Sequence, residues 1–192
     1  MKRTTAWCLY DWANSAFVTT IVAAVLPIYF ESVICGSSDV HWSFLGLGVT
    51  SSPAALWGYA MALAALMVAL LSPVLGAAAD AGGRRKHFLA ALTCLGVVCS
   101  LLLGLTGAGQ VWATLLLLVL GQIGFAGANV FYNSLLVIVA IGPHRDTISA
   151  RGYAFGYLGG GLLLALNLVL IRSPGLLGLE NEAAASRVSF IS

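Results

Sequence analysis

Polar side chains recur at helical spacing inside two strongly apolar stretches of the sequence, and they are the first candidates for chemistry. Those of the first stretch repeat every three or four positions, which places them on one face of a helix: Asp11, Asn14, Ser15 and Thr19. The fourth stretch has amides at spacings of seven and four residues, with a tyrosine beside them: Gln122, Asn129, Asn133 and Tyr132. Amides both donate and accept hydrogen bonds, so these faces suit a zwitterionic or hydroxylated solute better than a bare ion.

Two interpretations of these polar faces stay open. Amides buried in lipid are unfavourable, so they must face protein or a watery cavity. They could line a path for a substrate or a coupling ion, or they could hold helices together through hydrogen bonds worth about 1 kcal/mol each. Asp11, near the end of its stretch, is also a candidate N-terminal helix cap. The predicted substrate-binding residues are Asn14, Asn129, Tyr132, Asn133 and Asn167.

A short charged segment follows the second apolar stretch. An acidic residue precedes a glycine pair and three consecutive cations, and the glycines allow a sharp turn with positive φ. The segment could act in gating at a helix end, or it could be only a tight turn that anchors the chain by its positive charge. The candidate gating residues are Gly76, Asp80, Gly83, Arg84 and Arg85.

Glycines recur every fourth residue at the beginning of the fifth apolar stretch. Gly152, Gly156 and Gly160 form two overlapping small-xxx-small units, which let another helix backbone approach closely. We predict a helix-packing role for them, with a sliding contact in a moving protein as the alternative.

Composition excludes several function classes. The chain is 60% apolar and only 8% charged, whereas a soluble domain carries roughly 25% charged residues. So few charges cannot cover a water-exposed surface, which predicts that the lipid bilayer is its main solvent. A net charge of +2 without a basic stripe gives no reason to expect nucleic acid as a partner. The four cysteines lack metal-binding spacing, and catalytic motifs are absent, so we expect no enzyme activity, no metal and no cofactor.

Five apolar segments are long enough to span a membrane, which needs about 20 residues each. The predicted helices cover residues 12–30, 56–79, 88–105, 111–141 and 153–171, and a sixth could begin near 187. Gly142 and Pro143 are expected to end the fourth helix. The fold class is therefore an all-α membrane protein with a single transmembrane domain.

The distribution of cations predicts the orientation of these helices. Seven of the nine Lys and Arg residues flank one set of helix ends if the N-terminus is cytoplasmic: Lys2, Arg3, Arg84, Arg85, Lys86, Arg145 and Arg151. Arg172 and Arg187 lie on the other side. The positive-inside rule then places the N-terminus in the cytoplasm. The expected location is a bacterial inner membrane or, as the family resemblance given next implies for a eukaryote, the vacuolar membrane.

Several motifs resemble known transporters. The segment from Gly76 to Arg85 resembles the loop motif G-x-x-x-D-R/K-x-G-R of the major facilitator superfamily, with Ala81 in place of the expected basic residue. Other segments are similar to one subgroup, the autophagy-related vacuolar effluxer-like family and its bacterial relatives: YDWANSAF (10–17), LPIYF (26–30), FYNSLL (131–136) and SARGYA-x-GY-x-GGG (149–161).

This resemblance implies twelve helices in two halves, with alternating access about a cavity lined by the first and fourth helices. The chain then corresponds to the N-terminal half of a major facilitator bundle, and its length predicts a fragment, a truncated reading frame or one piece of a split protein that lacks its C-terminal half. The expected function is secondary transport of a small polar solute, with amino-acid efflux as one candidate and protons as a candidate coupling ion. The alternative is a non-transporting membrane remnant or assembly partner.

Overall fold

Long apolar helices make up most of the chain. In the computed structural model, which describes residues 3–140 and 144–191, five helices are long and apolar enough to cross a membrane. They are α1 (Arg3–Ile34), α2 (Pro53–Ala81), α3 (Arg85–Leu103), α4 (Val111–Val139) and α5 (Arg145–Arg172). These helices confirm the all-α membrane fold class predicted from the sequence.

Two helices begin well before their predicted starts. α1 begins at Arg3 rather than near Trp12, because the polar opening segment is packed: Trp7 and Cys8 are buried. α5 begins at Arg145 rather than near 153, and its glycines continue the helix instead of interrupting it. The predicted end of the fourth helix at Ile141, the Gly142-Pro143 break and the cation Lys2 lie outside the described residues.

The winding of α1 changes along its length. It is α-helical over Arg3–Ala16, π-helical over Phe17–Val25, α-helical again over Leu26–Tyr29 and π-helical over Phe30–Ile34. π-helical turns are rare and are found frequently at functional sites. Here the long π-helical segment begins directly after the polar face that contains Asp11, Asn14 and Ser15.

The loop between α1 and α2 contains a β-hairpin that the sequence analysis did not predict. Strands β1 (Val40–Phe44) and β2 (Leu47–Ser51) pair antiparallel, with Val40 opposite Ser51. Positive φ at Leu45 and Gly46, +49° and +82°, forms the two-residue turn whose twist matches paired strands. The Trp42 indole donates to the Ser51 hydroxyl at 3.1 Å and lies edge-on to Trp112 with ring centroids 5.4 Å apart. The hairpin is thereby attached to the start of α4.

A short sixth helix, α6 (Glu182–Ser189), closes one end of the bundle. It was predicted to begin near Arg187 but begins at Glu182, because the Asn181 side chain caps it by accepting from the backbone N–H of Ala184 at 2.9 Å. Its Arg187 donates to the Tyr29 hydroxyl at 2.8 Å, which in turn donates to the carbonyl of Thr106 at 2.7 Å.

Packing is divided between the two ends of the bundle. α1 packs along α5, α3 packs along α4, and α2 also packs on α4. A large apolar core at one end includes Leu26, Phe30, Leu118 and Phe190, and a small cluster at the other end joins Trp7, Cys8 and Tyr132. Along both α1 and α4, the polar faces lie between these two apolar clusters.

Candidate solute site

A cleft of about 290 Å³ opens between α1, α4 and α5, where their polar faces meet. Most of its walls come from side chains that can form hydrogen bonds or offer aromatic rings. The lining residues are Asp11, Asn14, Ser15, Val18, Thr19, Phe125, Asn129, Tyr132, Asn133, Tyr153, Gly156 and Tyr157. The cleft therefore brings together four of the five predicted substrate-binding residues.

An amide pair joins two walls of the cleft. Asn14 Nδ2 donates to Asn129 Oδ1 at 2.9 Å, and both side chains are half-buried. Asn14 Oδ1 and Asn129 Nδ2 have no hydrogen-bond partner among the described residues, so one acceptor and one donor remain available. Asn133 lies one helical turn beyond Asn129 on α4 and is exposed. The pair links α1 to α4 while keeping polar capacity for a third molecule.

Tyr132 lies at the edge of the cleft in an aromatic stack. Its ring is 4.3 Å from that of Trp7 and 5.0 Å from that of Tyr10, centroid to centroid, and the residue is 4% exposed. The Trp7 indole N–H also donates to the Tyr132 carbonyl at 3.2 Å. The Tyr132 hydroxyl is buried without a hydrogen-bond partner among the described residues. Nearly all buried polar groups in folded proteins have partners, so this hydroxyl calls for a functional explanation.

Asp11 contributes a carboxylate to the cleft. The interpretation of Asp11 as an N-terminal cap is wrong, because α1 begins at Arg3 and Asp11 lies in the helix interior with 9% exposure. No hydrogen bond or ion pair connects its carboxylate to another described residue. The residues that line the cleft include no Lys, Arg or His.

Glycines on α5 set its distance from α1. A Cβ added at Gly152 would overlap the Trp7 ring, and one at Gly156 would lie 2.6 Å from Ser15 Oγ. At Gly160 the nearest atom is Thr19 Oγ1 at 2.7 Å, and Gly159 approaches Trp12 as closely. Because these distances leave no space for a side chain, the floor of the cleft is formed by α5 backbone lying directly against α1.

The remaining predicted residues lie elsewhere. Asn167 is 1% exposed on α5 but does not line the cleft. In the loop between α2 and α3, Arg85 Nε donates to Asp80 Oδ1 at 2.6 Å, and Gly83 has a φ of +61°. Gly76 lies within α2, and Arg84 is exposed just before α3. The loop thus contains a surface ion pair beside a turn that requires a glycine conformation.

Three aromatic residues of the cleft, Phe125, Tyr153 and Tyr157, were missed by the sequence analysis. Tyr153 and Tyr157 project from α5 and are exposed. Their four-residue spacing, offset by one position from Gly152 and Gly156, is the signal that places them beside the glycine face. Gln122, which the sequence placed on the same stripe as Asn129, does not line the cleft.

Comparison with known proteins gives two relatives and one family. The family described as "Vacuole effluxer Atg22 like" matches residues 1–144. The chain is 32% identical to the uncharacterized MFS-type transporter YxiO of Bacillus subtilis, over 98% of this chain and 42% of the relative. It is 25% identical to autophagy-related protein 22 of Neurospora crassa, over 79% of this chain and 24% of the relative. It thus spans less than half the length of these relatives, and no solved structure matches it.

Proposed function

Because the chain belongs to the family of vacuole effluxer Atg22-like proteins, we propose that it provides half of the solute path of a secondary transporter for small polar solutes. It is an integral membrane protein with five membrane-spanning helices. The description of the family as effluxers and the name of the Bacillus subtilis relative as a transporter support this proposal.

The observation that carries the proposal is the polar cleft. Between two apolar clusters of a bundle that suits lipid, the Asn14–Asn129 pair leaves one amide donor and one acceptor unused beside an unpartnered Tyr132 hydroxyl. Both amide side chains are half-buried, so these unused groups can bind water or a solute. The unused amide acceptor of Asn14 and donor of Asn129 border a cavity of about 290 Å³ and suit a hydrogen-bonding solute, and amino-acid efflux is one candidate activity.

We propose that the N-terminus is cytoplasmic. We also propose that the loop between α2 and α3, on the same side of the membrane, sets the balance between the inward-open and outward-open states. The positive-inside bias supports this orientation. The Asp80–Arg85 ion pair supports the loop proposal, since an exposed pair of this kind can form in one state and break in another at little energetic penalty. Protons remain the candidate coupling ion.

A transport screen tests the proposal. The full-length natural polypeptide is reconstituted in proteoliposomes and offered separate pools of radiolabelled amino acids, polyols and organic acids, with and without a pH gradient. We expect saturable uptake from at least one pool. If folded protein transports none of them, the non-transporting alternative gains support.

A matched pair of variants links transport to the cleft. Asn133→Leu should raise the apparent substrate constant by roughly tenfold or more, because a hydrogen-bonding site loses affinity when a partner is removed. Leu suits the membrane interior, so folding should persist. Val130→Leu, on the same helix but outside the cleft, is the control and should leave the constant unchanged. An unchanged constant with lowered thermal stability in Asn133→Leu would assign Asn133 to helix packing instead.

A further inference from the structure

We propose that the β-hairpin between α1 and α2 inserts its tip into the surface of the phospholipid bilayer. Its apolar face lies among the acyl chains just below the headgroups, and its polar face lies in water. The hairpin is then a membrane-surface anchor at this end of the bundle. The inference concerns a surface outside the cleft, so it does not depend on the proposed transport activity.

The pairing of the two strands gives the hairpin two different faces. Side chains of directly opposite residues point to the same face of a sheet. Trp42 lies opposite Val49, on the face that also carries Val40. His41 lies opposite Thr50 on the other face, and these two side chains form a hydrogen bond of 2.8 Å. The hairpin is therefore amphipathic, with one apolar face and one polar face.

The apolar face is covered by protein at the root of the hairpin and uncovered at its tip. At the root, Val40 packs against the large apolar core and Trp42 contacts Trp112. Towards the turn, Leu47, which shares this face, is 71% exposed, and Leu45 in the turn is 87% exposed. The apolar face thus continues beyond the helices that cover its beginning.

The turn has a leucine where its backbone favours a different residue. Positive φ at both Leu45 and Gly46 is typical of a type I′ turn, whose first central position favours Asn, Asp or Gly. A bulky residue with positive φ is strained. Water does not offset this strain, because exposure of the leucine side chain to water is itself unfavourable. The leucine therefore indicates an apolar environment around the tip.

The hairpin shares the uncharged composition of the membrane-spanning helix that follows it. No Asp, Glu, Lys or Arg occurs over residues 40–79, which comprise the hairpin and nearly all of α2. A membrane span must avoid charge, but a loop in water has no such requirement. Charged residues occur in the neighbouring segments at this end of the bundle: Asp39 just before the hairpin, and Glu180 and Glu182 at the start of α6. The hairpin therefore resembles the lipid-facing part of the chain.

A tryptophan pair places the hairpin at the level of the membrane boundary. Tryptophan is enriched where the acyl chains meet the headgroups. Trp112 is the second residue of α4 and is 53% exposed, and Trp42 of the hairpin contacts it. The second strand joins α2 directly, and the exposed apolar stripe of α2 continues the same surface from Tyr59 onwards. Lipid is therefore the partner that we assign to the tip.

The experiment measures what surrounds the tip. The full-length natural polypeptide is reconstituted in phosphatidylcholine nanodiscs after its native cysteines are replaced by serine. A nitroxide spin label is attached to a single cysteine introduced by Leu45→Cys or, as the matched control on the polar face, by Ser43→Cys. Electron paramagnetic resonance then measures collisions of the label with oxygen, which concentrates in lipid, and with a nickel chelate, which stays in water.

The ratio of oxygen to nickel collisions should be severalfold higher for Leu45→Cys than for Ser43→Cys. A second reporter, Leu47→Cys, leaves the native leucine of the turn in place. Adding Leu45→Asp to this reporter should lower its ratio severalfold, because a charged tip leaves the lipid. Asp suits the turn, so the hairpin should keep its fold. Adding Leu45→Met keeps the tip apolar and should leave the ratio unchanged.

Three results would overturn the proposal. Frequent nickel collisions at both Leu45→Cys and Ser43→Cys would place the tip in water. Rare collisions with both reagents at Leu45→Cys would show that protein covers the tip, such as a part of the natural polypeptide beyond this chain. An unchanged ratio at Leu47→Cys after Leu45→Asp would show that lipid does not hold the tip. None of these results would alter the proposed solute path.

Discussion

At the scale of single residues, the Tyr132 hydroxyl is one of three buried side-chain polar atoms without a partner among the described residues, the others being Thr20 Oγ1 and Gln122 Oε1. Its ring is held between Trp7 and Tyr10, while its oxygen is buried without a partner. A buried donor without a partner destabilises a fold by about 1–3 kcal/mol. The stack alone would be served as well by phenylalanine, so the hydroxyl is expected to act on something that enters the cleft.

We therefore predict that Tyr132→Phe leaves thermal stability unchanged or raises it, since the stack stays and the unpartnered hydroxyl disappears. The apparent affinity for the solute should fall by roughly tenfold or more, since a hydrogen bond to the solute is lost. Thermal unfolding and binding to the purified protein measure the two effects. Tyr132→Leu is the control that removes the stack and should lower stability. Wild-type affinity in Tyr132→Phe would contradict a role for the hydroxyl.

Asp80 gives a second prediction at this scale. Its side chain is 59% exposed and that of Arg85 is 32% exposed, so the pair adds only about 0–1 kcal/mol to stability. Asp80→Asn should leave expression and unfolding temperature nearly unchanged but reduce turnover in proteoliposomes. The reason is that changing the free-energy difference between the inward-open and outward-open states by about 1–3 kcal/mol shifts their populations about 5- to 150-fold.

A charge reversal at Asp80 and Arg85 is the matched control. The double variant Asp80→Arg with Arg85→Asp keeps an ion pair and should recover part of the turnover that Asp80→Asn loses. Wild-type turnover in Asp80→Asn would instead show that Asp80 has no role in gating and belongs only to the charged turn that orients the helices in the membrane.

At the scale of helices, the close contact between α1 and α5 depends on glycines of α5, which have no side chain to hold the helices apart. A Cβ at Gly159 would lie 2.7 Å from the backbone carbonyl oxygen of Trp12, which cannot move aside as a flexible side chain would. Two residues further along the same helix, a Cβ at Gly161 would have no atom within 4 Å. The two positions therefore form a natural matched pair.

We predict opposite effects for alanine at these two glycines. Gly161→Ala should be neutral or stabilising by up to about 1 kcal/mol, the difference in helix propensity between the residues. Gly159→Ala should destabilise by about 1–3 kcal/mol, because helices forced apart lose packing over their whole contact. Thermal unfolding in a single detergent measures both variants. Equal stability of the two would show that α1 and α5 do not pack as described.

The meeting of Asn14 and Asn129 was predictable from the helical period together with the family resemblance, which implies that the first and fourth helices are neighbours. Polar residues every third or fourth position identify one face of each helix, and the lipid forces those faces towards each other. The burial of Asp11 was not predictable, because the start of α1 depends on Trp7 packing against α4, a contact distant in sequence. Asn167 was predicted to bind the solute but is buried elsewhere on α5. An amide in an apolar helix therefore does not by itself identify the cleft.

The π-helical segment of α1 and the β-hairpin could not be predicted from the sequence, because neither has a distinctive residue pattern. The π-helical turns of Phe17–Val25 leave the apolar composition of α1 unchanged, so no pattern in that segment distinguishes them from α-helix. The β-hairpin has strands of only five residues with an indistinct alternation of polar and apolar side chains. Its turn at Leu45 and Gly46 lacks the Asn-Gly or Asp-Gly pair that usually marks such a hairpin.

At the scale of the whole molecule, the apolar surface and the distribution of cations fit a bilayer. On α2 the exposed apolar residues recur at three- and four-residue spacing, forming a continuous stripe suited to lipid: Tyr59, Leu63, Leu66, Leu70 and Val74. The β-hairpin and the start of α6 lie at one end of the bundle, and the loop between α2 and α3 lies at the other. The two ends can therefore be assigned to membrane sides by labelling.

We predict that a cysteine at Ser37 or Ser38 reacts with a membrane-impermeant maleimide from outside the cell, whereas one at Gly83 reacts only after permeabilisation. The positive-inside bias is the physical reason. Labelling of the native Cys35 near the same loop should be slow. Burial and the neighbouring Glu31 raise the pKa of its thiol above the ordinary value and so lower the fraction present as reactive thiolate. Replacing the four native cysteines by serine removes this native labelling altogether. The reverse labelling pattern would invert the topology.

The close approach of α5 to α1 also has a genetic consequence. Every single-base change that replaces a glycine codon by another amino acid adds at least a Cβ, so no missense mutation at Gly152, Gly156, Gly159 or Gly160 is conservative in volume. The same changes at Gly161 meet open space. A population carrying this gene should therefore show variation at 161 and almost none at the four neighbouring codons. A lineage that lost Gly152 could restore the contact by a smaller side chain at Trp7, whereas one that lost Gly159 would need reversion, since the obstacle there includes the Trp12 backbone carbonyl.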